Sequence, residues 1–357
     1  MSGKLLAIFI ISIALFGGCE RSQPVEQKPV AQDYSQKVLP KRLELKVPSD
    51  NTALMPFSSG YSNVNRNDNG DNNYFIPNIQ KNKPIEILFT GDLMFDRYIR
   101  QVATKKGNDY IFSGVKNLLT GSDLVVANLE GPLTDYKSVS VNTKVDEKNN
   151  LIFTFDPSLA TTLAELNIKL VNIGNNHILN FSPAGAEQTK AYLLAAGVNF
   201  FGDTGATEKK YWVKEINGRK IGFVNYNFSV KGSTQNALGD IQLAKQEADL
   251  VVVCPHWGTE YKTGGPGAAV RSLAHQFVDT GADLVIGTHP HVIQSSEVYQ
   301  GKKIYYSLGN FIFDQYFSQE TQKGLAVRVK INPPDLKMEV EEVLLTLLKN
   351  GQTQPAK

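Results

Sequence analysis

Cysteine is nearly missing from this chain: there are two, Cys19 and Cys254, among 357 residues. No disulfide framework can organise it. An excess of one charge is lacking as well, with 37 Lys and Arg against 35 Asp and Glu, a net charge of +2. No basic run with interleaved aromatics occurs, so nothing argues for a nucleic-acid partner. Common catalytic and nucleotide-binding signatures are also missing: there is no G-x-G-x-x-G, Walker A, H-E-x-x-H or G-x-S-x-G. What remains is ordinary globular composition, 41% hydrophobic and 20% charged. The length suits one large domain or two ordinary ones.

The N-terminus reads as a targeting segment. Lys4 precedes an apolar stretch at 5–16 that is too short to span a membrane and right for a signal h-region. Gly17-Gly18-Cys19 follows, and a Cys after two small residues resembles the lipobox of bacterial lipoproteins. Cys19 would then be cleaved, acylated and become the first residue of an extracytoplasmic, membrane-anchored protein. Phe16 stands where Leu is usual, which leaves ordinary cleavage open, and the choice of inner or outer membrane stays open too. With Cys19 acylated, no intramolecular disulfide remains. Cys254 ends the apolar run 250–254 and reads as a small core residue.

The expected organisation is a signal peptide at 1–18, a low-complexity tether at 19–83, a folded domain at 84–350 and a short tail at 351–357. The tether is rich in Gln, Pro, Ser and Asn and cannot bury enough apolar surface to offset its ordering entropy. From residue 85, β-rich apolar runs recur at 85–90, 124–127, 169–173, 221–225, 250–254, 284–286 and 303–307. Helix signals lie between several of them. Asp156-Pro157 and Ser182-Pro183 each read as an N-cap followed by Pro at the first helical position. Gly197 and Gly281 read as C-terminal stops. Two further strands are expected at 324–331 and 338–347. Strands alternating with helices give an α/β class with helices outside the sheet.

Four of the five histidines sit just past the end of an apolar run. They are His177 in G-N-N-H, His256 in H-W-G-T-E-Y, and His289 and His291 in T-H-P-H. Two more runs end in carboxylates, Asp92 in T-G-D-L-M and Glu130 in A-N-L-E-G. Open α/β sheets bind ligands at the carboxyl ends of their strands, so these six residues suggest one assembled site. Imidazoles and carboxylates together suit a divalent cation. Each residue alone has a plainer explanation: Asp92 as a turn residue, Glu130 as a cap, His177 in an Asx-type turn. Asn176 can offer a carbonyl oxygen to a metal. Asn175, Trp257, Glu260 and Asn310 are candidates for binding substrate or bracing ligands. Asp96 and Arg97 fall at an expected helix start, and His275, inside a helix pattern, is given no role.

The ordered series T-G-D-L-M, N-L-E-G-P-L-T, G-N-N-H, H-W-G-T-E-Y, G-T-H-P-H-V-I-Q and Y-S-L-G-N-F-I-F resembles the bacterial capsule-synthesis CapA family. That family is linked to poly-γ-glutamate biosynthesis and related to calcineurin-like metallophosphoesterases. The resemblance implies a metallo-dependent phosphatase-like fold, a four-layer αββα sandwich. It also implies roles: Asp92, Asn176, His256, His289 and His291 as metal ligands, Glu130 as a bridging carboxylate, and His177 as the catalytic proton donor. Mn, Fe, Zn or Mg are the candidate ions. Three departures stand out. Met94 replaces a first-strand histidine, which leaves one metal, two or none open. Asn180 stands where Asp is usual, removing an acceptor that would orient His177. Thr288 stands where His or Gly is usual.

The resemblance implies a lipid-anchored protein of capsule or poly-γ-glutamate surface-polymer synthesis. Its partners would be an anionic polymer and a membrane complex, and its chemistry metal-dependent hydrolysis or transfer. A metallophosphoesterase acting on a phosphodiester or wall polymer is the alternative. A non-catalytic assembly or polymer-binding module is the third.

Overall fold

The computed structural model describes residues 83–356 except 145–146, 203 and 205–209. The expected signal peptide, Cys19 and the tether to residue 82 lie outside the described residues. The chain begins with β1 (Ile85–Leu93), α1 (Arg97–Lys106), α2 (Asn108–Phe112), α3 (Lys116–Thr120) and β2 (Leu124–Leu129). It continues through α4 (Leu159–Glu165), β3 (Leu170–Asn172), α5 (Ser182–Ala195) and β4 (Asn199–Phe201). Then come β5 (Trp212–Ile216), β6 (Arg219–Asn227), α6 (Ser233–Glu247), β7 (Leu250–His256), α7 (Ala268–Thr280) and β8 (Leu284–Ile286). The C-terminal part holds β9 (Ser296–Tyr299), β10 (Lys302–Tyr305), β11 (Asn310–Ile312), β12 (Lys323–Asn332), β13 (Lys337–Leu347) and β14 (Thr353–Pro355).

These strands form two sheets. One runs β14-β13-β12-β1-β2-β3-β4, with β11 alongside the end of β1; the other runs β5-β6-β7-β8-β10-β9. Strands β1 to β4 are parallel neighbours, as are β6, β7, β8 and β10. Parallel pairing requires crossovers, and α1 to α7 supply most of them.

Period-2 alternation explains the layering. Ile87, Phe89, Leu124 and Val126 of the first sheet face Phe223, Val252, Leu284 and Ile286 of the second in one apolar layer. The intervening Leu88, Val125, Ala127 and Leu129 pack with the helical layer of α1 to α5. Val251, Val253 and Val285 pack instead against α6 and α7. Both faces of both sheets are therefore covered, which gives the expected αββα order. Cys254 lies buried in the inter-sheet layer, as a small core residue should.

One irregularity sets up the site. Phe89 pairs with Val126 but Asp92 pairs with Asn128, so β1 carries one extra residue there. The bulge reverses the alternation: Leu93, not Asp92, joins the helix-side core. Asp92 thereby turns towards the inter-sheet side, beside Asn128. Gly91 lies in the bulge, where a Cβ would come within 1.9 Å of the Gly309 carbonyl oxygen.

Several boundaries differ from expectation. Helix α4 begins at Leu159, because the Asp156 side chain caps the preceding turn through Ser158 N and Oγ, at 3.0 and 2.6 Å. Ser182 is no N-cap: it lies inside α5 with a φ of 63° and no side-chain cap bond precedes it. The short strands β4, β5, β9 and β11 carry too little alternation to stand out from turns. Residues 353–355, expected in a tail, pair with β13 as an edge strand, where Pro355 is tolerated. Gly91→Ala should cost about 3 kcal/mol or more, because backbone must move to admit the methyl group. Thermal melting checks this: a melting temperature within a degree of wild type would show that the close approach to Gly309 does not constrain the bulge.

Candidate metal centre

The carboxyl ends of β1, β2, β3, β7 and β8 converge. Asp92, Glu130 and His291 present ligand atoms within 4.8 Å of one another, and so do Glu130, His256 and His289. A third group, Glu260 with His289 and His291, meets the same limit. Glu130, His289 and His291 each belong to two of these groups, and Glu130 is the carboxylate that the imidazoles surround. Its Oε1 lies 3.5 Å from His291 Nε2 and 3.9 Å from both His256 Nε2 and His177 Nε2. The T-H-P-H turn aims both imidazoles inward at a conformational cost: His289 and His291 have φ of 98° and 57°. Such non-glycine conformations cost on the order of 1–3 kcal/mol each and cluster at functional sites.

Hydrogen bonds fix the tautomers. Asn310 Nδ2 donates to the carbonyls of His291 and Thr321 and to Gln315 Oε1, so its Oδ1 faces His291 Nδ1 at 3.0 Å. His291 Nδ1 therefore carries the proton and Nε2 is left as a ligand atom. His256 is turned the other way: its Nδ1 lies 3.3 Å from Asn128 Nδ2, which can only donate, and 3.2 Å from Thr288 Oγ1, so Nδ1 accepts and Nε2 carries the proton. His256 Nε2 donates to Asn176 Oδ1 at 2.9 Å, a bond that a cation held by this nitrogen would replace. His289 N donates to Asp92 Oδ2, and Asn128 Nδ2 donates to Asp92 Oδ1 at 2.8 Å.

His177 is braced in two ways. Its Nδ1 lies 3.0 Å from Asn180 Oδ1, which also accepts from Phe153 N, and its ring packs on Phe153 with centroids 4.4 Å apart. Asn180 thus supplies the orienting acceptor whose loss was expected from the missing Asp. Nδ1 carries the proton and the Nε2 lone pair faces Glu130. Burial lowers the His177 pKa to about 4. A neutral imidazole of this tautomer presents a proton-accepting Nε2 to the cluster.

The electrostatics of the cluster are unusual. Glu130 is fully buried, and neither carboxylate oxygen has a hydrogen-bond partner. Asp96, equally buried, shows the usual alternative: it accepts from Arg97 N, Ser138 Oγ, Arg100 Nε and Thr154 N while capping α1. Burial, then the charges of Asp92 and Glu260, push the Glu130 carboxyl well above the usual carboxylate range. Burial and the neighbouring His291 and His177 lower His289 to about 3. Burial, then His289, His291 and His177, hold His256 well below its ordinary value. His289 Nδ1 is also buried without a partner. Neutral imidazoles and a partnerless buried carboxylate are what a divalent cation would satisfy, so the donor set fits one.

Among the other expected residues, Asn175 braces the loop, donating to Leu129 O and accepting from His177 N. Trp257 is buried, donates to Tyr306 O and stacks on Phe277. Glu260 is exposed and joins the ligand groups rather than standing behind them. Met94 does not enter the cluster: it packs in the helix-side core and its sulfur accepts from Asp96 N at 3.0 Å. Its loss as a ligand position is therefore complete, and Glu260 adds a carboxylate. His275 lies away from the cluster, stacked on Tyr299 and paired with Glu297.

Five contributors were not anticipated. Asn128 lies on the same alternation phase as Val126 and could have been found that way; Thr288 acts through His256. Phe228 packs against His289 and Tyr261 stacks on His291, with centroids 4.5 and 6.0 Å apart, and both are partly exposed at the rim. Gln315 Nε2 donates to the Tyr261 hydroxyl. Phe228 and Gln315 carry no short-range mark, whereas Tyr261 closes the H-W-G-T-E-Y motif.

Because burial and the neighbouring carboxylates raise the Glu130 carboxyl, its charged form is disfavoured until a cation binds, so binding should be coupled to proton release and affinity should rise with pH. Calorimetric titration of chelated protein with Zn²⁺ or Mn²⁺ at pH 7, in two buffers of different ionisation enthalpy, should show about one proton or more released per chain. Glu130→Gln should release fewer and bind at least about tenfold more weakly, ~1.4 kcal/mol. Zero proton release by wild type would contradict this description of Glu130.

Comparison with known proteins agrees with this geometry. The family model for "Bacterial capsule synthesis protein PGA_cap" matches residues 86–315, which include the whole ligand cluster. The "PGA biosynthesis protein CapA" of Bacillus subtilis is 34% identical over 254 residues, covering 66% of this chain and 65% of that protein. The "Capsule biosynthesis protein CapA" of Bacillus anthracis is 30% identical over 268 residues, covering 69% and 64%. A "Probable polyglutamine synthesis accessory protein" of Mycobacterium tuberculosis is 26% identical over 224 residues, covering 55% and 57%. The chain thus matches just under two thirds of the length of the two Bacillus relatives. With the family model spanning more than half of its length and the site in place, this chain belongs to the bacterial capsule synthesis protein PGA_cap family.

Proposed function

We propose that this chain is a lipid-anchored, extracytoplasmic protein of capsule or poly-γ-glutamate surface-polymer synthesis that acts on the polymer by metal-dependent hydrolysis or transfer. The observation that carries the chemistry is Glu130, a buried carboxylate without a partner, shared by two groups of metal-capable side chains. The printed names of the two Bacillus relatives support the biological setting. Anchoring rests on the Cys19 motif, and a membrane synthesis complex is the expected partner.

Asp92, Glu130, His256, His289 and His291 would hold the cation, with Asn176 and Glu260 at its margin. Three imidazoles favour Zn, Fe or Mn over Mg. When bound, the cation supplies Lewis acidity to a carbonyl or phosphoryl oxygen. His177, neutral and held by Asn180, takes a proton at Nε2 and can return it to a departing group. Phe228 and Tyr261 flank the cluster with their rings open to solvent on one side.

A metallophosphoesterase is the second reading, favoured by one observation: the sharing of Glu130 between two ligand groups resembles a two-metal arrangement. Elemental analysis of protein purified without added metal should find one or two equivalents of a transition metal. His289→Ala and His291→Ala should each lose most of that metal and lower polymer processing at least about 100-fold, ~2.7 kcal/mol. Side-by-side assays on poly-γ-glutamate and an aryl phosphate separate the two chemistries. No bound metal, with full activity in both variants, would overturn the metal-dependent reading and leave a polymer-binding module.

A further inference from the structure

A cavity of about 300 Å³ opens directly beside the ligand cluster, between β7, the loop after it and the start of α7. That volume is at the lower end of small-molecule sites, about 300–1,000 Å³. Phe228 forms the partition: its ring lines the cavity on one side and packs on His256 and His289, centroids 6.1 and 4.5 Å away, on the other. Trp257, Val270 and Leu273 give the cavity a largely apolar wall, to which Tyr226, Thr259 and Gln294 add polar atoms. Lys262 stands at the rim, its ammonium about 3.8 Å from where a Cβ on Gly267 would lie. No carboxylate lines the cavity, and no ion pair holds Lys262 among the described residues. The first turn of α7 adds the positive end of a helix dipole with no side-chain cap.

The walls are held in place. Trp257 N donates to Thr288 O, Tyr261 N to Pro290 O, Ser295 N to Gly264 O, and Gln294 Nε2 to Lys262 O, all between 2.8 and 3.2 Å. A preformed pocket loses little entropy on binding. A largely apolar interior with one unpaired cation at its mouth suits an anion carried on a short hydrocarbon stem.

We propose that this cavity is a substrate subsite for one carboxylate-bearing unit of a polycarboxylate chain, with its methylenes against Trp257 and Leu273 and its carboxylate at Lys262. The unit would flank the bond presented to the ligand cluster across Phe228. This deepens the functional reading above and rests on it for the chemistry, but the binding claim can be tested separately.

Calorimetric titration of the full-length, metal-loaded protein with a short γ-glutamate oligomer, and with the same oligomer methyl-esterified on its free carboxylates, provides the test. Wild type should bind the free acid about tenfold more tightly than the ester. Lys262→Met, which keeps the stem and removes the charge, should erase that preference. Val270→Trp, which fills the cavity, should weaken both ligands about tenfold or more. Metal content equal to wild type in both variants serves as the folding control. Binding that depends on Lys262 without any bond cleaved by wild type would sustain the subsite while overturning the chemistry. Cleavage and affinity unchanged in both variants would overturn the subsite and leave the chemistry standing.

Discussion

Glu130 sits at the end of β2 with its carboxylate sealed from solvent and without a hydrogen-bond donor on either oxygen. Asp96, four residues after Asp92, is buried to the same degree and has four donors. The same fold thus satisfies one buried carboxylate fully and leaves another bare. A bare buried carboxylate is among the most costly groups a protein can enclose, and it persists where something positive is meant to meet it. The neighbouring imidazoles of His256 and His289, held neutral by burial and by nearby histidines, offer it no counter-charge.

The scaffold around Glu130 is organised to deliver those side chains. Two parallel blocks packed face to face bring several strand ends to one edge of the inter-sheet layer. The extra residue at Gly91 turns Asp92 out of the helix-side core, and the positive φ values of His289 and His291 aim two rings from one turn. Stability is given up at both places to obtain that orientation. Amides and hydroxyls from Asn128, Asn180, Thr288 and Asn310 then hold the Nδ1 sides of His256, His177 and His291.

Much of this was legible in the sequence, for a physical reason. Parallel strands buried on both faces appear as continuous apolar runs, so the polar residues that end them stand out. Asp92, Glu130, His256, His289 and His291 lie at such ends, and the structure brings them together. The supporting residues were harder to see. Asn180 and Thr288 looked like lost interactions because they depart from a pattern, yet an amide oxygen and a hydroxyl can do what the usual residues do. Met94 gave no clue that it turns away from the site, since a one-residue bulge leaves no mark on composition. Short strands such as β4 and β11 are defined by pairing partners far away in the chain.

Apart from Trp257 and Tyr261, which lie in the H-W-G-T-E-Y motif, the aromatic rim and the neighbouring cavity were invisible for the same reason. Phe228, Tyr261 and Lys262 come from loops whose closeness to the cluster depends on tertiary hydrogen bonds. All of these features converge on one claim, that the cluster is a cation site centred on Glu130. Anomalous diffraction from crystals grown with Mn²⁺ or Zn²⁺, recorded at the metal edge, tests it most directly. The account predicts a peak at about 2.0–2.2 Å from a Glu130 oxygen and from at least two of His256, His289 and His291. Fully occupied metal elsewhere on the protein, with no peak at Glu130, would contradict it.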